Sequence, residues 1–528
     1  LKKLARWKAK RLSPLSFLLF SAHMYLLCFA ACQDISLAGR FSTGWEMMLY
    51  NNIISAQPFI SKIDKPKLCT GRNLPDSMVV DIDESGIYLG LETDMGKGYY
   101  VGKHSNNDGN ILTIGINGAG KSHFLIKSTL RTLNKPVVTL DIKGELLDCN
   151  RHLKRKGFAR RPYIVFDPTN GGVHYDVYAL LERNDPHFVQ YVKEIAYAII
   201  PIPLDVREPY WLKMARDFLS GAIVYYFEKG YDFIDTILLV QTTPVADLCK
   251  ESMTGDVALA KMFVSEISAL KPEHQAAIGT DVKQHTMLFA TDPDIQYALS
   301  KNEDSELFSW KDIVMNEDAP NVCLRLDQSR LEQWSGLIRL MITQLIRQIE
   351  RRPDKHSPQG AETEPLLLLL DEFPLLGRMD VITEAMTTLR SKKVTLYLVI
   401  QSIAQLDAVY GPNVRRILVD NCQYKAILQV TELETQEYLS RMIGTVPTAK
   451  VSVSQSLNSI MEQSAWGTQV QEIREPLIHP HEFSTNQDIW LHTPNGFFST
   501  IKLPAIVTDQ PDYKFDEIIA EYFRRQTK

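Results

Sequence analysis

Gly115-Ile116-Asn117-Gly118-Ala119-Gly120-Lys121-Ser122 follows the spacing G-x(4)-G-K-[S/T] of a phosphate-binding loop. The β-type run Ile111-Leu112-Thr113-Ile114 precedes it, and residues 123–133 place apolar side chains at helical spacing after it. Glycines let a backbone wrap closely around a phosphate, where successive N–H groups and a helix N-terminus face the anion. The Lys121 ammonium can reach the β- and γ-phosphates, and the Ser122 hydroxyl can bind Mg²⁺. A chance glycine turn is the plain alternative, and the strand–loop–helix context argues against it. Gly115, Asn117, Gly118, Ala119, Gly120, Lys121, Ser122 and His123 are therefore the expected contacts of a nucleoside triphosphate, taken as ATP.

A second element says what the triphosphate is for. Leu366-Leu367-Leu368-Leu369-Leu370 runs directly into Asp371-Glu372. An unbroken apolar run followed by acids suits a central parallel strand, buried on both faces and opening at its carboxyl end. In P-loop ATPases such a strand brings one carboxylate to the Mg²⁺ shell and a second to the attacking water. Asp371 takes the first role and Glu372 the second. An ordinary acidic turn would look the same in isolation; paired with the phosphate loop it reads as hydrolytic. A glutamate beside the Mg²⁺ aspartate favours an ATPase over a kinase with a separate acceptor.

The bulk properties narrow the class. A chain of 528 residues is long enough for two or three domains and a large core. With 45% hydrophobic and 23% charged residues it is an ordinary globular composition, which excludes wholesale disorder. A formal net charge of -5 argues against a uniformly basic nucleic-acid coat, although a local basic channel is compatible with it. The cysteines at 28, 32, 69, 149, 249, 323 and 422 lack metal-ligand spacing and suggest neither a disulfide framework nor a zinc site, in keeping with a reducing compartment.

The N-terminus stands apart. Lys2, Lys3, Arg6, Lys8, Lys10 and Arg11 precede an apolar run over 15–32, near the lower limit for crossing a bilayer. Signal peptides share this pattern, but a nucleotide enzyme has no ATP outside the cell, so we read a membrane anchor. The positive-inside rule then conflicts with a single span, because it would put the ATPase outside. The first residue is Leu rather than Met, which leaves room for sequence upstream.

After the anchor, 33–72 reads as a connecting segment and 77–91 as β-rich. Pro136-Val137-Val138-Thr139-Leu140-Asp141 and Tyr163-Ile164-Val165-Phe166-Asp167 repeat the pattern of a buried strand ending in an acid. Strands alternating with helical patterns imply a parallel sheet with crossover helices. Between about 185 and 300 helical periodicity dominates, as in Trp211-Leu212-Lys213-Met214-Ala215-Arg216-Asp217-Phe218-Leu219, and the sheet pattern resumes at Asn321-Val322-Cys323-Leu324. A long helix is expected over 331–351, further strands over 394–400 and 424–429, and a mobile Ser/Thr/Gln-rich loop over 445–475. The expected fold is α/β. The division is 1–72 anchor and linker, 73–184 first part of the nucleotide-binding domain, 185–300 all-α insertion domain, and 301–528 its second part.

Several of these segments, in this order, resemble the type IV coupling proteins of conjugation and type IV secretion, the TraG/TraD group. Val138-Thr139-Leu140-Asp141-Ile142-Lys143-Gly144-Glu145-Leu146 is similar to the family's D-x-K-G-E strand end, and Pro209-Tyr210-Trp211 with Ala215-Arg216 to its tryptophan helix. Leu370-Asp371-Glu372-Phe373-Pro374-Leu375-Leu376-Gly377-Arg378-Met379 resembles the second nucleotide motif, and Gln401-Ser402-Ile403-Ala404-Gln405-Leu406 the glutamine segment that follows. The resemblance covers about residues 80–440. It implies a RecA-like P-loop ATPase with Gln401 sensing the γ-phosphate or orienting water. It also implies an arginine that reaches a neighbouring subunit's nucleotide, placed here at Arg390, with Arg378, Arg415 or Arg416 as substitutes. Asp141 and Lys143 would support Mg²⁺ or phosphate. The implied protein is a homohexameric motor in the bacterial inner membrane, its ATPase domain in the cytoplasm, translocating relaxosome single-stranded DNA, and possible protein effectors, into a type IV secretion channel. An FtsK/HerA-type DNA pump and a substrate-selecting receptor with secondary hydrolysis are the alternatives. The family commonly carries two membrane spans, and this chain offers one at most.

Overall fold

The computed structural model describes residues 79–503, except 82–85, 92–96, 103–107, 147–160, 203–205, 302–305, 317 and 458–463. The anchor and linker expected over 1–72 lie outside these residues. Among the described residues no helix is long and apolar enough to cross a membrane.

The leucine run decides the centre of the molecule. All five side chains of the strand Leu366–Leu370 are buried. Successive residues of a strand point to opposite faces, and here Leu366, Leu368 and Leu370 join one hydrophobic cluster while Leu367 and Leu369 join another. Neighbouring strands divide in the same way: Leu396, Leu398 and Ile400 face the first cluster, Tyr397 and Val399 the second. Each buried leucine contributes about 1.5–3 kcal/mol of burial energy. A strand apolar on both sides therefore belongs in mid-sheet.

Strands are numbered in chain order: β1 Val79–Asp81, β2 Ile87–Leu91, β3 Lys97–Val101, β4 Ile111–Ile114, β5 Val137–Asp141, β6 Tyr163–Phe166, β7 His174–Tyr175, β8 Leu307–Phe308, β9 Asn321–Arg325, β10 Leu366–Leu370, β11 Val394–Ile400, β12 Tyr424–Ile427, β13 Thr445–Leu457, β14 Ser464–Pro476, β15 Ile489–Thr493 and β16 Gly496–Thr500. The main sheet has the order β16-β15-β12-β4-β11-β10-β5-β9-β6. From β12 to β6 every pairing is parallel.

The expected parallel sheet is extended at one edge by antiparallel strands. β15 runs antiparallel to β12, and β16 antiparallel to β15. Thr493 pairs with Gly496 across the loop Pro494-Asn495, and a two-residue loop can join only antiparallel strands. The expected mobile loop over 445–475 is corrected: β13 and β14 form a two-stranded sheet of their own. Alternation such as Val451-Ser452-Val453-Ser454 carries the strand signal under a polar composition.

Between β7 and β8 the described chain is helical over 188–199, 210–228, 233–242, 245–254, 258–268, 272–291 and 293–299. Local chemistry sets several of these boundaries. The Asp232 carboxylate accepts from the Asp235 N–H at 2.8 Å to start one helix, and Asp292 caps another, with Pro293 in its first turn. Helices Tyr210–Glu228 and Ala258–Ser268 approach closely at Gly221, where a Cβ would lie 2.8 Å from Val264 Cγ1. The apolar interior of these helices is continuous with the cluster on one face of the main sheet. Helix Ser335–Glu350 joins the two, and its Arg339 Nε donates to the Ala198 carbonyl at 2.8 Å.

Candidate active site

Four adjacent parallel strands, β4, β11, β10 and β5, end side by side. The glycine loop follows β4, Gln401 follows β11, Asp371-Glu372 follows β10 and Asp141-Ile142-Lys143 closes β5. Residues far apart in sequence are thereby brought to one sheet edge.

The loop is tied to its neighbours by backbone: Gly115 N–H donates to the Ile400 carbonyl at 3.2 Å, and Ile116 N–H to that of Gln429 at 2.9 Å. Gly118 and Gly120 have φ of 79° and 90°, and a Cβ on Gly120 would sit 2.4 Å from the Phe124 ring. Only glycine fits there. The chain then winds into a wide-turn helix, Lys121–Ile126. Lys121 is buried, and its ammonium donates to the Gly115 carbonyl at 2.6 Å and to that of Ile116 at 3.3 Å. Burial lowers its pKa, against the pull of Glu372 and Asp371. Ser122 is half-buried, whereas Asn117 and His123 are exposed.

Asp371 and Glu372 are 3% and 2% exposed. Burial, reinforced by the charge of Glu372, pushes the Asp371 carboxyl up to about 6. Glu372 moves the other way: burial works against its charge, but hydrogen bonds from Lys143 and Gln401 outweigh it and hold its pKa low. Lys143 Nζ lies 2.8 Å from Glu372 Oε1, and Gln401 Nε2 donates to Oε2 at 2.9 Å. Glu372 adopts a left-handed conformation with φ 50°, unusual for a non-glycine residue. Strain of this kind is characteristic of functional sites. Asp141 plays a supporting part. Its two carboxylate oxygens accept from the N–H groups of Glu145 and Leu146, at 3.2 and 2.9 Å, shaping the turn that presents Lys143. Asp141 thus holds backbone and Lys143 holds Glu372.

The donor set suits a magnesium nucleotide. The glycine cradle accepts no side chain at 120, a would-be Cβ on Gly118 meets no atom within 4 Å, and an ammonium lies among the loop carbonyls. A hydroxyl and a carboxylate, Ser122 and Asp371, are the hard oxygens that Mg²⁺ prefers. A carboxylate this deeply buried next to a second one gains from a cation.

Arg390 is not in this cluster. It precedes β11 while Gln401 follows it, and at about 3.3 Å per residue the strand separates them by roughly 20 Å. Two of the three substitutes are engaged locally: Arg378 pairs with Asp380 at 2.8 Å and Arg415 with Asp407 at 3.0 Å. The motif reading did not assign the Lys143–Glu372 pair, though the D-x-K-G-E segment flagged the lysine.

Residues 69–489 match the family described as Type IV secretory system Conjugative DNA transfer. The chain is 23% identical over 438 residues to the conjugal transfer protein TraG of Escherichia coli, covering 79% of this chain and 66% of that protein. It is 24% identical over 382 residues to VirD4 of Agrobacterium fabrum, covering 70% of this chain and 54% of that protein. The chain thus spans two thirds or less of the length of these relatives. In fold it is similar to the plasmid coupling protein TrwB, solved in complex with ADP and Mg²⁺, with a TM-score of 0.61 at 15% identity over 85% of this chain and 95% of that one. With the match running over most of its length, the chain belongs to the type IV secretory system conjugative DNA transfer family.

Proposed function

We propose that this chain is the ATP-driven motor of a conjugative coupling protein, which hydrolyses ATP to deliver relaxase-bound single-stranded DNA to a type IV secretion channel. One observation carries the reading: Glu372, buried and ionised, is gripped by Lys143 and Gln401 at the same sheet edge as the Lys121 loop. A carboxylate oriented from two sides is what activation of a water requires.

The roles follow from position. The loop 115–123 holds the triphosphate, with Lys121 neutralising phosphate charge once it leaves the Gly115 carbonyl. Mg²⁺, when bound, would neutralise phosphate charge at Ser122 and Asp371. Glu372 takes the proton of the attacking water, and Gln401 orients Glu372 and that water. Arg390, on the opposite sheet edge, acts on the nucleotide of a neighbouring subunit, which requires a ring, taken as a homohexamer. Residues 1–72 anchor the chain in the inner membrane with the motor in the cytoplasm, and the helices of 185–300 form a domain that receives cargo. The family match supports this reading, as does a fold shared with TrwB, a protein solved with ADP and Mg²⁺.

The test is ATP turnover by the full chain with and without single-stranded DNA. Stimulation by DNA, lost in Lys121→Ala, is expected. Turnover that survives Lys121→Ala would refute the site, and turnover indifferent to single-stranded DNA would refute the cargo.

A further inference from the structure

Three charged side chains meet at the amino ends of the central strands, away from the nucleotide loop. Asp108 precedes β4, Arg390 precedes β11 and Lys355 lies in the segment before β10, and these strands are neighbours in the order β4-β11-β10. Asp108 Oδ1 accepts from Arg390 Nη2 at 2.9 Å and from Nε at 3.3 Å, and Oδ2 accepts from Lys355 Nζ at 2.6 Å. The Lys355 backbone N–H donates to the Ser391 carbonyl at 2.7 Å, so the lysine also fastens the turn that carries Arg390.

The aspartate itself stands on a fixed base. Two residues on, the Asn110 side chain donates to the carbonyls of Met386 and Asn421 and accepts from the Leu396 N–H at 3.1 Å. Burial works against the charge of Asp108, yet the two cations hold its carboxyl below the usual range.

A guanidinium is a planar fork of five N–H donors. Asp108 engages the edge formed by Nε and Nη2 and makes no bond to Nη1, and the Arg390 side chain remains 47% exposed. With Lys355 on the other carboxylate oxygen, the trio carries a net positive charge. As a source of stability such a partly exposed group counts for little, but as a mount it fixes the direction of one donor edge.

We infer that Asp108, braced by Lys355, is a positioning residue that aims Arg390 outward at the triphosphate of the neighbouring subunit. The inference rests on the reading of Arg390 as acting in trans.

Mixed assemblies of the full chain test it. Asp108→Ala alone should lower turnover by about 10²-fold at saturating ATP, the size expected from a misplaced group, with KM for ATP little changed. Asp108→Asn, which keeps the shape and one acceptor oxygen, should lose less and guards against a folding defect. Asp108→Ala mixed with Lys121→Ala should recover turnover, because one interface in the mixture pairs an intact arginine mount with an intact loop. Asp108→Ala mixed with Arg390→Ala should not, since both lack the same half. If Arg390→Ala and Lys121→Ala fail to complement each other, the trans reading falls and this inference with it. If they do complement, then wild-type turnover in both Asp108 variants, or recovery by the Asp108→Ala and Arg390→Ala mixture, overturns the positioning role alone.

Discussion

The two ends of the same strands carry charge in opposite ways. At the carboxyl ends, Lys121, Asp371 and Glu372 are all buried, and burial dominates the titration of two of them: Asp371 is pushed up to about 6 and Lys121 is pulled down, while hydrogen bonds hold Glu372 low. At the amino ends, Asp108, Lys355 and Arg390 are partly exposed, and their mutual ion pairs push each shifted group toward its charged form. The first cluster sets two buried carboxylates against Lys121 and Lys143, with Asp371 the less compensated of the two acids; the second holds two cations against one carboxylate and carries a net positive charge. Two faces of opposite character on one chain are what the proposed sharing of a site between subunits calls for.

The sharpest way to break this comparison is to remove the exposed cation. Arg390→Ala should lower turnover by about 10³–10⁵-fold, the range for an arginine supplied in trans, while nucleotide affinity stays near wild type. Steady-state turnover against protein concentration should also be steeper than linear in the wild type. Linear turnover with a mild Arg390→Ala defect would place the whole site within one chain.

Removing the buried base should have the next largest effect. Glu372→Gln should reduce turnover by about 10²–10⁴-fold, the usual contribution of a positioned general base, and leave nucleotide bound, because Lys121 and the glycine loop are untouched. Near-normal turnover in this variant would strip Glu372 of its role. Lys143→Ala offers a refinement. It removes the stronger of the two holds on Glu372, so the acid limb of the pH–rate profile should move toward neutral pH as the Glu372 carboxyl rises from its lowered value.

The two faces also differ in how far they could be read in advance. The carboxyl-end cluster was visible because chemistry imposes spacing: the loop glycines, the Lys121-Ser122 pair and five leucines ending in two acids are local patterns. The alternation of strand and helix pointed to a parallel sheet, but which strands lie side by side comes from the structure. The amino-end cluster left no such trace. Asp108 and Arg390 are 282 residues apart and neither sits in a spaced motif, so only the sheet order brings them together. Lys143 and Glu372 are 229 residues apart, and for them the motif named the residues without naming the bond. The antiparallel edge was missed although Pro494-Asn495-Gly496 lies between two alternating runs, a hairpin signal outweighed by the parallel pattern upstream. Over 445–475 a polar composition masks the alternation that marks two strands.

Both faces hang on the same strands, so a core defect should make them unfold together while leaving the folded site intact. Leu368 is fully buried in mid-strand on β10. Leu368→Ala should destabilise the fold by about 2–5 kcal/mol, the range for truncating a buried leucine. The variant's midpoint in urea should fall while its turnover below the transition stays close to wild type. A turnover loss as deep as that of Glu372→Gln, without a shift in midpoint, would mean that the strand positions the site more directly than packing predicts.

The smallest effect concerns the strain stored at the carboxyl end, and its sign is opposite to that of the other predictions. Asp371 has a folded-state pKa of about 6, above the ordinary aspartate value of about 3.9. Between these values the folded protein binds more protons than the unfolded chain, so stability from this group is full below about pH 4 and is lost as pH rises through about 6. At pH 7.5, without metal or nucleotide, the ionised Asp371 therefore destabilises the fold by about 2–3 kcal/mol. Asp371→Asn removes that charge and keeps an oxygen to accept the Glu372 N–H, which Asp371 Oδ1 accepts at 3.0 Å. In EDTA at pH 7.5 the variant should melt above wild type, and the difference should shrink as pH is lowered toward 4. The same variant should lose Mg²⁺-dependent turnover. A group placed to receive a cation is thus a liability until the cation arrives. An Asp371→Asn variant that melted below wild type at pH 7.5 would show that the carboxylate is already compensated within the free chain.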